Sequence, residues 1–128
     1  KNQGDRTLQI AQKNFYKKLL GRVGEKKATD YLKLRGYKII KTNYKTPLGE
    51  IDIIAEKDKQ TIFIEVKTRT NEDYGFPCEA VDYKKQEKYY RIATYYLQRA
   101  NKMDSECRFD VVEINDGQIN HILNAFCM

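Results

Sequence analysis

Two short apolar runs rich in β-branched residues, 51–55 and 61–66, flank the polar segment Lys57-Asp58-Lys59-Gln60. Their β-branched content and central turn predict a β-hairpin. A turn centred on Asp58-Lys59 pairs Ile54 with Phe63, Asp52 with Glu65 and Glu50 with Lys67. Alternation then assigns Ile51, Ile53, Ala55, Ile62, Ile64 and Val66 to one face. The other face carries Glu50, Asp52, Glu65 and Lys67 around the Ile54–Phe63 pair. A slip of one residue would put Asp52 and Glu65 on opposite faces.

The rest of the chain arranges itself around that hairpin. Residues 5–20 repeat Leu8, Ala11, Phe15 and Leu19 at helical spacing. Gly21 and Gly24 predict a break before a second helix over 23–35, which Gly36 ends. Its apolar stripe includes Ala28, Tyr31 and Leu32, and Glu25 points with that stripe toward the body of the protein. A strand follows over 37–44, and Thr46-Pro47-Leu48-Gly49 turns the chain into the hairpin. After a loop over 70–78 with Gly75 and Pro77, residues 79–100 predict a long helix. Gln86, Tyr90, Ala93, Leu97 and Ala100 share its inner face, while Lys84, Lys85, Lys88 and Arg91 make its other side basic. A strand over 108–114, the turn Asn115-Asp116-Gly117 and a last strand or strand–turn over 118–126 complete the chain. The long helix can act as a right-handed crossover that makes the strands on either side of it parallel. The expected order is α-α-β-β-β-α-β-β, a mixed sheet with helices on its faces.

Composition narrows the class. The 128 residues suffice for one domain with a core, and 41% hydrophobic with 33% charged residues describes a soluble globular chain. No apolar run approaches the ~20 residues of a membrane span, and no secretory signal pattern is present. Cys78, Cys107 and Cys127 are odd in number and form no CxxC pair. They argue against a disulfide framework and against zinc, and fit a reducing cytoplasm. The single histidine, His121, reads as a strand or surface residue rather than a ligand, which disfavours histidine catalysis. Charge is uneven: residues 1–45 hold 13 Lys+Arg against 3 Asp+Glu, a net +10, and residues 46–128 hold 11 against 15, a net −4. A basic N-terminal part suits a polyanion such as nucleic acid, and equally suits a solvated helix face.

The acids on the hairpin suggest a chemistry. Directly opposed carboxylates repel at about 5 Å, so Asp52 facing Glu65 calls for a positive charge between them. Lys67 supplies part of it, and a hard cation, Mg²⁺ or Mn²⁺, bound also by a backbone carbonyl such as that of Val66, would supply the rest. Such an ion could polarise a phosphodiester and acidify a water, while Lys67 orients that water or stabilises phosphate charge. Glu25 and Glu50 could complete or tune the shell. The plainer account is a salt-bridge ladder on an exposed hairpin, worth about 0–1 kcal/mol per pair. For Glu25 the plainer account is a first-turn acid favoured by the helix dipole.

Asp52 followed by Glu65-Val66-Lys67 resembles the PD-(D/E)xK signature of the restriction-endonuclease-like fold. More closely, the chain resembles the YraN-like family of small bacterial proteins. The matching residues are Gly24-Glu25, Ala28, Tyr31-Leu32, Gly36-Tyr37, Asn43-Tyr44, Gly49-Glu50-Ile51-Asp52 and Glu65-Val66-Lys67-Thr68-Arg69. Gly75-Phe76-Pro77, Ala80-Val81, Arg108-Phe109-Asp110-Val111 and Ala125-Phe126 extend the match over about residues 21–126. The resemblance implies an αβββαβ core in an α/β domain over 21–128, with residues 1–20 as an extra N-terminal helix. It implies Asp52, Glu65, Glu25 and the Val66 carbonyl as metal ligands for Mg²⁺ or Mn²⁺, and Lys67 as the catalytic lysine. Gln86 with Tyr90 is similar to the Gln-xxx-Tyr element of some nucleases. Lys84, Lys85, Lys88 and Arg69 would then meet nucleic acid, DNA rather than RNA. Ile51 stands where the superfamily signature has proline. The expected activity is a metal-dependent endo- or exonuclease acting on branched or damaged DNA. A non-catalytic nucleic-acid-binding module is the alternative. A third reading has the 5–20 helix form a homodimer or recruit a partner.

Overall fold

The computed structural model describes residues 3–69 and 83–125. The expected loop over 70–78, the first turn of the long helix at 79–82, Cys78 and Cys127 lie outside the described residues. So do the side chains of residues 3–5, Lys17 and Arg69. The elements are α1 (Gln3–Leu34), β1 (Lys38–Thr46), β2 (Gly49–Lys57), β3 (Gln60–Arg69), α2 (Tyr83–Arg99), β4 (Glu106–Asn115) and β5 (Gln118–Ile122). The strands form one sheet in the order β1-β2-β3-β4-β5. Only β3 and β4, the pair joined across α2, run parallel. The molecule is therefore a mixed five-stranded α/β structure with an N-terminal helix. Among the described residues no helix is long and apolar enough to cross a membrane.

Local chemistry explains most of the boundaries. Gly36 takes φ +86°, and Tyr37 N and Gly36 N donate to Leu32 O and Lys33 O, which closes α1 in a Schellman cap. Asn101 does the same for α2. Asp58-Lys59 and Asp116-Gly117 both have two positive φ angles, the requirement of tight hairpin turns that follow the strand twist. At the β1–β2 turn, the Thr46 hydroxyl accepts from Leu48 N and Gly49 N at 3.0 and 3.1 Å.

The expected break between two N-terminal helices does not occur. Gly21 and Gly24 lie inside α1, and neither has a positive φ. A helix-interior glycine costs about 1 kcal/mol relative to alanine, less than docking the helix on the sheet returns. Gly24 has a packing role: a Cβ there would collide with the Thr68 hydroxyl and touch Ile114.

The core has two layers, one on each face of the sheet. Ala28, Leu32 and Tyr37 pack on Ile53, Ala55, Ile62, Ile64, Val112 and Ile114 under α1. Ile92, Ala93, Tyr96 and Leu97 of α2 pack on Ile51, Ile54, Phe63, Phe109 and Val111. The hairpin register is the expected one, with Ile53 opposite Ile64 and Ile54 opposite Phe63. Ile51 departs from expectation: it lies in the α2 layer, not with Ile53. The strict alternation stops at Asp52, for a reason that concerns the site.

The inner face of α2 is the expected one at Ala93, Leu97 and Ala100 and departs from it at Tyr90. Tyr90 is 47% exposed and stacks on Phe109, and the buried stripe runs through Ile92, Ala93, Tyr96 and Leu97. That stripe also packs the half-buried Tyr89 against the core. His121 is a strand residue, as expected. Its Nε2 lies 2.8 Å from Asp110 Oδ2, and Arg108 Nε and Nη2 bind the same carboxylate at 2.8 and 2.9 Å. Asn124 N donates to Asp110 Oδ1 at 2.9 Å. Burial alone would raise the Asp110 carboxyl. The bonds from His121, Arg108 and Asn124 N outweigh it and hold the group below its ordinary range. This cluster ties β4, β5 and the start of β1 together on the α1 side, through Arg108 Nη2 to the Tyr37 hydroxyl at 2.9 Å.

Candidate active site

The β2–β3 ladder ends at Ile53–Ile64, although β2 begins four residues earlier and β3 continues to Arg69. The expected facing pairs Asp52–Glu65 and Glu50–Lys67 fall beyond that last rung, where the two strands part. Asp52 stands in the fork. Its Oδ2 accepts the Val66 amide at 2.8 Å, so a side chain takes the place of the next backbone rung. Across the other ladder, Asn43 lies between the Thr42–Ile53 and Tyr44–Ile51 pairs with φ +52°. Both neighbours of β2 are thus irregular at Asp52, which lets Ile51 and Ile53 point to opposite layers.

A strand residue presents its N–H and C=O to the same neighbour. The Val66 carbonyl therefore opens into the fork that its amide shares with Asp52. Glu65, on the α2 face of β3, is almost buried, with its side chain 11% exposed. Lys67 Nζ lies 3.1 Å from Glu65 Oε1. Glu65 Oε2 is buried with no hydrogen-bond partner among the described residues. Behind Glu65 a cavity of about 10 Å³ lies among Ile51, Phe63, Tyr89 and Phe109, too small for more than about one water.

Electrostatics confirm the crowding. Burial pushes the Asp52 carboxyl from an ordinary 3.8 to about 6. The Val66 N–H opposes that rise, while Glu25, Glu65 and Glu50 add to it. Glu25 of α1 and Glu50 at the start of β2 are therefore close enough to be felt, and Glu25 lies well inside α1 rather than in the first turn that its plainer account required. Against these four carboxylates stands the Lys67 ammonium. Tyr89 of α2 donates its hydroxyl to Glu65. Burial, reinforced by Glu65, Asp52 and Glu50, raises its pKa well above the usual phenol range, so it remains a donor.

The donor set suits a hard cation. Two carboxylates, one with an orphaned buried oxygen, and a backbone carbonyl share one fork. Mg²⁺ in enzymes is commonly held by one or two carboxylates, with waters and substrate phosphates completing its shell. Among the described residues no three His, Cys, Asp or Glu side chains converge closely enough to form a cage by themselves.

The structure thus brings Asp52, Glu65, Lys67, Val66 and Glu25 together. Gln86 is half-buried one turn before Tyr89 on α2. Lys84, Lys85 and Lys88 lie on the exposed part of the same helix, and the Arg69 side chain is outside the described residues. Two residues were missed by the sequence reading. Tyr89 could have been found from the 89-92-96 spacing of Tyr89, Ile92 and Tyr96. Glu113 sits beside Lys67 in the parallel β3–β4 register, which no local pattern announces.

A family model described as "Uncharacterised protein family UPF0102" matches residues 24–114. A UPF0102 protein of Alkaliphilus metalliredigens is 47% identical over 112 residues, spanning 85% of this chain and 98% of that relative. One from Caldanaerobacter subterraneus is 46% identical over 121 residues, 89% of this chain and 99% of its own. One from Thermodesulfovibrio yellowstonii is 49% identical over 107 residues, 84% and 95% respectively.

Proposed function

The chain belongs to the uncharacterised protein family UPF0102, the YraN-like family, and on that premise we propose that it is a divalent-metal-dependent nuclease hydrolysing DNA phosphodiester bonds. The observation that carries this reading is the fork between β2 and β3. There the half-buried Asp52 and Glu65 stand beside the Val66 carbonyl and Lys67, and Glu65 Oε2 has no hydrogen-bond partner among the described residues. A protein that only bound nucleic acid would have no use for half-buried, mutually repelling carboxylates. The order α1-β1-β2-β3-α2-β4 supports a restriction-endonuclease-like core, with β5 added.

Asp52, Glu65 and the Val66 carbonyl would hold Mg²⁺ or Mn²⁺, with Glu25 next to them. The ion, when bound, supplies charge for the phosphodiester oxygens and a more acidic water. The chain's own groups do the rest. Lys67, anchored by Glu65, places a cation and a proton donor or acceptor at the mouth of the fork. The Tyr89 hydroxyl restrains Glu65, as outer hydrogen bonds restrain ligating carboxylates. The apolar side chains behind Glu65, Ile51, Phe63 and Phe109, lower the local dielectric, which strengthens each of these interactions.

The test is a cleavage assay with Mg²⁺ and Mn²⁺ on duplex, single-stranded and four-way-junction DNA, with Asp52→Ala beside the wild type. Cleavage by the wild type alone is expected, and the cleaved member of the panel names the substrate. Binding by both proteins with cutting by neither would replace this reading with that of a nucleic-acid-binding module.

A further inference from the structure

Beside the fork, on the flank of α2 that faces the β1–β2 turn, an open groove of about 150 Å³ is lined by Leu48, Lys84, Glu87, Lys88 and Arg91. We propose that this groove binds the sugar–phosphate backbone of a nucleic acid and carries the strand into the fork; this rests on the carboxylates being a phosphodiester-cleaving centre.

Four observations support it. First, Lys84, Lys88 and Arg91 are spaced four and three residues apart, so they form one row on the helix. The row rises about 10 Å, close to the advance of three nucleotides at about 3.4 Å each. Second, three cations face one acid, Glu87, whose pair with Arg91 at 3.1 Å is exposed. Such a pair is worth about 0–1 kcal/mol, so a phosphate can compete for Arg91.

Third, the fold brings the row against the turn. Gly49 has φ +145°, and a Cβ there would come within 2.6 Å of Lys88 Cε and 2.9 Å of Ile92 Cδ1. The bare backbone at Gly49 thus lets Lys88 lie over the first residue of β2. Fourth, the next residue is Glu50, whose charge is felt at Asp52. The row and the carboxylates are therefore neighbours, positive beside negative. That arrangement suits a polyanion held by its flanking phosphates while one phosphate meets the acids. Leu48, 45% exposed at the tip of the turn, gives the groove an apolar wall for the sugar and base.

The experiment measures binding without cutting. Fluorescence anisotropy of a labelled oligonucleotide, single-stranded and duplex, is followed with EDTA present over a range of salt concentrations. The triple variant Lys84→Gln/Lys88→Gln/Arg91→Gln is compared with wild type. A control variant, Lys33→Gln/Lys38→Gln/Lys59→Gln, removes the same charge from the opposite end of the sheet. The groove variant should flatten the slope of log K against log salt by about 2 for single strands and about 3 for duplex. The control should change it far less. An unchanged slope in the groove variant, an equal loss in the control, or no binding by wild type would overturn the proposal. Because no metal is present, the result is independent of cleavage. Groove-dependent binding with no metal-dependent cutting would sink the nuclease reading and leave the groove standing.

Discussion

Asp52 is half-buried near three other carboxylates, and its pKa rises from 3.8 to about 6. A folded-state pKa above the unfolded value means the folded chain holds that proton more tightly. The stabilising contribution is complete below 3.8 and is lost as pH rises through about 6. Above that, ionised Asp52 costs on the order of 3 kcal/mol. Asp52→Asn keeps an acceptor for the Val66 amide and removes the charge. In EDTA at pH 8 the variant should melt higher than wild type, and the difference should vanish near pH 4. Added Mn²⁺ should raise the melting temperature of wild type at pH 8, by the mass action of a ligand on the folded state, and leave the variant unmoved. A wild type that melts higher than the variant at pH 8 without metal would show that the fork is not strained. Tyr89 belongs to this scale too: one hydroxyl, aimed at Glu65, gives α2 a direct hold on the site.

At the scale of elements, α1 shows how packing overrules local propensity. Gly21 has open space where a Cβ would go, whereas Gly24 has Thr68. Gly21→Ala should therefore stabilise the fold by about 0.5–1 kcal/mol through helix propensity. Gly24→Ala should destabilise it, by about 1–3 kcal/mol, because α1 must lift from β3. Denaturant melts of the two variants check this, and equal effects would show that the close approach of α1 to the sheet is wrong. The two hairpin turns and two helix caps, by contrast, follow from their own few residues.

At the scale of the molecule, the two halves of α1 play different parts. Gly24, Ala28 and Leu32 are buried against the sheet, while Leu8, Phe15 and Leu19 are 60%, 69% and 48% exposed. The first five turns therefore add little to the core. Removing residues 1–20 should leave the melting temperature of the remaining domain within about a degree or two, since surface changes are usually worth under about 0.5 kcal/mol. A scanning melt with solution mass beside it checks the expectation. A fall of ten degrees, or a change from dimer to monomer, would give those residues a structural or assembly role.

The hairpin register, both turns, the Gly36 cap and the parallel crossover were legible in the residues alone, because each depends on alternation or on a few neighbouring side chains. The pattern also singled out Asp52, Glu65 and Lys67, which lie at one fork, although Asp52 and Glu65 are not the facing pair that alternation predicted. What the residues could not determine is how the strands behave at the end of the ladder. Only the tertiary structure parts β2 from β3 at Asp52, turns Ile51 into the other layer and leaves a Glu65 oxygen without a partner among the described residues, because these depend on contacts across both neighbouring strands. It also decided that α1 is continuous, since the value of Gly24 lies in Thr68, 44 residues away in sequence. Tyr89 and Glu113 reach the site by helix rotation and parallel register, which are set by packing rather than by any local signal.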